Sequence, residues 1–129
     1  LFSYLFGIWM VLVTVLSLIS GIHVDTGELP PLPLDKFVHF TFYAVAVILG
    51  AMMWKERRPA FRFDTNTLFL MAFIATLYGM VIEAFQYSFT ADRTAEWLDV
   101  LANCFGAIGG TLLTKRLNHK IWALKTRSK

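Results

Sequence analysis

The chain has 129 residues, 57% of them apolar and only 16% charged, with a formal net charge of +3. A soluble domain this short buries too small a fraction of its surface to hide so much apolar side chain. The basic residues sit between apolar runs, which argues against a nucleic-acid partner, and the single cysteine, Cys104, excludes a disulfide framework.

The first apolar run, 2–20, carries no charge and is long enough to cross a bilayer, which takes about 20 residues. A secretory signal peptide fits it poorly, because no basic residue precedes it, it exceeds a usual signal core, and no A-x-A site follows. Pro30, Pro31 and Pro33 then predict an extended approach to the second helix, with Asp35 capping its N-terminus. The second span, 37–54, is uncharged and short enough to call for local bilayer thinning. The basic segment after it breaks at Pro59, and Asp64, Asn66 or Thr67 opens the third span, 67–88, which contains Glu83. The fourth span, 97–114, contains Asp99. In the tail, 115–129, Leu117, Ile121 and Leu124 have helical spacing among basic residues, the pattern of a short interfacial extension with Trp122 at the headgroups.

Four spans leave no room for a separate soluble domain. The expectation is one all-α membrane domain over 1–129, a bundle of four transmembrane helices. Lys and Arg number one, four, one and six in the successive connecting segments. That alternation predicts both termini in the cytoplasm of a multi-pass protein of the cell membrane, with the first and third loops outside. Seven of the nine acidic residues fall in the outer half, giving net charges of −5 outside and +8 inside.

Polar residues gather at the outer ends of three helices. Asp35, His39 and Tyr43 follow one another at i+4, with Lys36 beside them. Glu83 shares a helix face with Gln86 and Tyr87. Asp99, Asn103, Gly106 and Gly110 form a stripe that should face protein, and Gly106 and Gly110 make a GxxxG close-packing motif. Ionisable groups at membrane depth are costly singly and are relieved by pairing or by a water-filled cavity, so three helices carrying them at one depth predict a shared chamber.

Arg93 and Lys36 would hold an anionic lipid-linked substrate there. Glu83 or His39 would move a proton while Asp99 orients a partner. Asp35, Tyr43, Gln86 and Asn103 complete the ligand-binding set. The bland alternatives are an Arg93–Asp99 ion pair and Glu83 as a structural partner of Asn103 or of a cation. His39, Glu83 and Asp99 could also coordinate a divalent ion, but no HExxH or paired-cysteine spacing selects a metal, and no cofactor is expected. Whether the site catalyses or only binds stays open, as does a scaffold role through Gly106 and Gly110. The partners indicated are membrane lipids, a lipid-linked envelope precursor or a lipoglycopeptide, and a second copy of the chain.

Three stretches, LDKFVHFTFY at 34–43, EAFQ at 83–86 and RTAEWLDVLANCFGAIGG at 93–110, together resemble the VanZ-like family. The resemblance implies a small integral membrane protein. It marks Asp35, Lys36, His39, Tyr43, Glu83, Gln86, Arg93, Asp99, Asn103, Gly106 and Gly110, and it implies a link to the cell envelope and to teicoplanin resistance. Thr94, Ala95 and Glu96 stand where relatives look more uniformly small or hydroxylated, a difference that bears on ligand choice.

Overall fold

The computed structural model describes residues 1–19, 34–60, 63–89 and 97–127, with side chains through 118 in the last segment. They form four helices: α1 (Phe2–Leu18), α2 (Leu34–Arg57), α3 (Thr65–Phe89) and α4 (Trp97–Arg127). The last three are each long and apolar enough to cross a membrane. The 17 described residues of α1 reach about 26 Å at 1.5 Å per residue, just short of the ~30 Å hydrocarbon core. The first-loop prolines, Arg93 and the side chain of Trp122 lie outside the described residues.

Most helix ends shift from those expected, and two of the shifts change the reading. The second helix begins at Leu34, so Asp35 sits within its first turn, where a carboxylate complements the helix dipole, and not at the cap. The tail is no separate element: α4 continues unbroken to Arg127. Between Thr111 and Arg127 the sequence holds no Gly or Pro and is rich in Leu, Lys and Arg, so nothing interrupts the helix.

Consecutive helices run antiparallel, which brings the C-terminal end of α1, the start of α2, the end of α3 and the start of α4 together. The most extensive packing is α2 on α4, then α3 on α4; α1 lies against α2 and α3 and makes no contact with α4 among the described residues. The α2–α4 contact is backbone-close. A Cβ at Gly106 would overlap the Phe40 carbonyl oxygen and stand 2.9 Å from Phe40 Cα, and one at Gly110 would overlap the Ala44 carbonyl oxygen. The GxxxG face is therefore consumed within the chain, which removes it as a surface for a scaffold partner. Around this seam Tyr43, Val47, Ala72 and Ala107 form the buried core.

Lipid is as apolar as leucine, so α1 gains little from hydrophobicity alone and is held by specific ties. The Trp9 indole N–H donates to the Phe42 carbonyl at 3.0 Å, and the two rings meet edge to face with centroids 6.0 Å apart. Thr14 and Tyr78 hydroxyls pair across to α3. At the opposite end from the polar chamber, Glu56 accepts from the Ser3 backbone N–H at 3.0 Å and from its hydroxyl, capping the start of α1. Large apolar side chains such as Ile8, Phe69, Phe73, Phe105 and Leu112 face outward, as lipid contact requires.

Asp64 caps α3, as one of the three expected starts: its Oδ1 accepts from the Thr67 N–H at 2.8 Å. Those hydrogen bonds from Thr67 hold its carboxyl below the ordinary 3.8. A carboxyl lowered on folding stabilises the folded state fully above its unfolded value and loses that contribution as pH falls through the folded value. Asp64→Ala should accordingly lower the melting temperature in detergent at neutral pH, with the gap to wild type closing in acid well below pH 3.8. A gap that persists unchanged in acid would show that the cap is not the cause.

Candidate functional site

Among the buried polar side chains at the chamber end, those of three helices cluster: His39 at 5% exposure, Glu83 at 6%, Asp99 at 5% and Asn103 at 1%. Each is placed by helix register. His39 lies five residues inside α2 and Glu83 six residues before the end of α3, so each sits roughly 8–9 Å along its helix from that end. Asn103 follows Asp99 by one helical turn and lies on the same face.

His39 is the hub. Its Nδ1 is 3.0 Å from Asn103 Oδ1 and 3.7 Å from Glu83 Oε1, while Nε2 is 4.0 Å from Asp99 Oδ2. An amide oxygen can only accept, so Nδ1 carries the proton of the His39–Asn103 bond. In the neutral imidazole this leaves the Nε2 lone pair turned toward a carboxylate. One ligand-type atom from each of His39, Glu83 and Asp99 lies within 4.8 Å of the others, a spacing that could hold a metal ion.

Lys36 stands at the mouth. Its ammonium is 2.7 Å from Asp99 Oδ1 and 2.7 Å from Asp35 Oδ2, with its side chain 23% exposed. Asp99 is thus neutralised by a lysine one turn before His39; the expected alternative, a pair with Arg93, falls outside the described residues. Asp35 is the outermost member, its side chain 47% exposed.

Other residues of the expected set lie beside the cluster. Tyr43 is 2% exposed and packs into the core below His39. The Gln86 amide donates to the Ser17 carbonyl at 2.6 Å, tying α3 to the last turn of α1. Tyr87, expected on the Glu83 face, is 66% exposed. The four-residue step from Glu83 overshoots the narrow buried stripe that Glu83 and Gln86 share.

Two contributors escaped the sequence reading. Gly79 makes the room: a Cβ there would stand 2.8 Å from Asn103 Nδ2 and 3.0 Å from the Tyr43 ring. A glycine four residues before Glu83 in an apolar helix was the available signal. Ser17 accepts from Gln86 through its backbone carbonyl, for which no side-chain signal exists.

A family model described as VanZ/LLP1 matches residues 2–118, which takes in every described side chain of the cluster. No curated protein and no solved structure matches the chain.

Proposed function

Since the chain belongs to the VanZ/LLP1 family over residues 2–118, we propose that this small multi-pass membrane protein binds the anionic headgroup of a cell-envelope or lipid-linked ligand at the chamber formed by α2, α3 and α4. The reading rests on one observation above the rest: three buried ionisable side chains from three helices converge at one end of the bundle, with a partly exposed lysine at the opening. A purely structural cluster would gain stability by being apolar, because desolvating charges is expensive even when they are paired. The alternation of basic segments argues for an opening toward the outer leaflet.

Lys36 supplies the partly exposed cation for the headgroup, and Arg93, which precedes α4 in the sequence, is the second basic residue assigned to it. His39, with a carboxylate near each ring nitrogen, has the composition for proton transfer to a bound ligand, Glu83 or His39 moving the proton and Asp99 holding the orientation. A teicoplanin connection is a narrower case of the same reading, since a lipoglycopeptide also presents an acyl chain beside polar groups at the outer leaflet.

The test is mass analysis of lipid retained by the purified protein. Wild type should carry an anionic lipid that Lys36→Gln loses several-fold, and Glu83→Gln should retain the lipid but fail to convert it if the site is catalytic. Equal retention by wild type and Lys36→Gln would remove the headgroup assignment. Unchanged teicoplanin sensitivity in a strain lacking the gene would remove the glycopeptide case.

A further inference from the structure

We propose that His39, Glu83 and Asp99 together hold one divalent cation of the zinc or manganese class, with Asn103 orienting the imidazole, and that this cation lets an anionic headgroup settle over a carboxylate-lined chamber. The second part rests on the headgroup reading above; the first stands on geometry and charge alone.

Charge gives the first argument. Among the described residues, Asp35, Glu83 and Asp99 when ionised bring three negative charges against the one positive charge of Lys36. With His39 neutral those described groups sum to minus two, and with His39 protonated to minus one. Such a site repels the ligand that the partly exposed lysine would attract, and in a low-dielectric setting that repulsion is strong. One divalent cation brings the neutral-histidine site to zero and leaves open coordination positions for an anionic oxygen.

The imidazole gives the second. Metal-bound histidines usually donate their other ring N–H to an oxygen acceptor that fixes the tautomer. Here Nδ1 donates to Asn103 Oδ1 at 3.0 Å, and Asn103 is 1% exposed, so the acceptor is locked in place. Among the described residues its Nδ2 has no hydrogen-bond partner. A buried residue whose Nδ2 is unpaired among those residues is accounted for if its oxygen has the orienting task. Nε2 then offers a lone pair toward Asp99 Oδ2 at 4.0 Å.

Distances give the third. Nitrogen and carboxylate ligands bind zinc at about 2.0–2.2 Å, so two ligands of one ion stand at most about 4.4 Å apart. The observed 4.0 Å between Nε2 and Asp99 Oδ2 fits within that; Glu83, whose Oε1 stands 3.7 Å from Nδ1, completes the set by a side-chain rotation toward Nε2, one ligand-type atom from each of the three residues already lying within 4.8 Å of the others. An imidazole with two carboxylates suits zinc or manganese better than magnesium or calcium, which prefer all-oxygen sites.

The experiment uses the whole chain in detergent, stripped with EDTA and titrated with Mn2+ under electron paramagnetic resonance. One Mn2+ per chain is expected, with a nitrogen coupling that His39→Gln abolishes, and binding at least about tenfold weaker in His39→Gln and Asp99→Asn; Asn103→Ala should weaken it about 10–100-fold without removing the nitrogen coupling. Wild type that takes up no Mn2+, or that shows no nitrogen coupling, overturns the site irrespective of how the variants fold. In a second arm, short-chain phosphatidic acid and inorganic phosphate are each added with and without Mn2+. Tighter phosphatidic acid binding with Mn2+ supports the role of the ion, and equal gains for phosphate mark a free-anion site. Lys36-dependent lipid binding by a protein that takes no Mn2+ overturns the cation while leaving the headgroup reading intact. Mn2+ uptake with no binding of either anion supports the cation and removes the headgroup.

Discussion

Gly106→Ala is expected to be among the most damaging single-methyl changes available in this protein. The added Cβ would overlap the Phe40 carbonyl oxygen and stand 2.9 Å from Phe40 Cα, and those are backbone atoms of a helix that cannot step aside as a side chain can. Either α2 and α4 separate, or the side chains interleaved along their seam lose contact. Overpacking of a core ordinarily costs about 1–3 kcal/mol, and this position belongs at or beyond the upper end because the obstacle is main chain. Separation would also carry His39 and Lys36 on α2 away from Asp99 and Asn103 on α4, so the chamber should fail together with the fold. Thermal unfolding in detergent, followed by size-exclusion chromatography, should show a large drop in melting temperature for Gly106→Ala and a similar one for Gly110→Ala. Gly7→Ala is the control, since a Cβ there meets nothing within 4 Å. Wild-type melting of Gly106→Ala would mean that the two helices do not meet as described.

Asp99→Ala should be the second large effect, with a distinctive signature. Its carboxylate is 7% exposed and pairs with the Lys36 ammonium at 2.7 Å. Removing one member of a buried pair typically costs about 3–5 kcal/mol, because the remaining charge is left without its counter-ion. Lys36 is 23% exposed and keeps Asp35 within 2.7 Å, which relieves part of that burden and places the effect toward the lower end. Lys36→Met alone leaves Asp99 buried and negative and should also destabilise. The double variant should recover part of the loss, since neither charge then remains stranded. Melting of all four proteins forms a cycle whose coupling should be clearly non-zero. Additive losses would show that Lys36 and Asp99 do not depend on one another.

The helical plan was legible because it is written locally. Apolar runs separated by polar segments set the number of helices, three of which are long and apolar enough to span a membrane, and backbone hydrogen bonds within each helix set which residues share a face. Asp99, Asn103, Gly106 and Gly110 follow that rule, and all four are buried. Helix ends were less legible: nothing in the sequence forces α4 to stop at Thr114, and nothing prevents α2 from starting before Asp35.

What the sequence could not decide is who meets whom. That Asp99 pairs with Lys36, that His39 places Nδ1 on Asn103 and Nε2 toward Asp99, and that Gln86 reaches the Ser17 carbonyl all depend on how far each helix is rotated and slid against its neighbours. Those two variables are set by close packing, above all by Gly106 and Gly110 seating the α2 backbone, and by Gly79 admitting Asn103 and Tyr43. Periodicity along one chain segment carries no information about an offset between two segments. The sequence by itself determined the helices and the faces they bury; only tertiary packing decided the distances across those faces, and a binding or catalytic site consists of those distances.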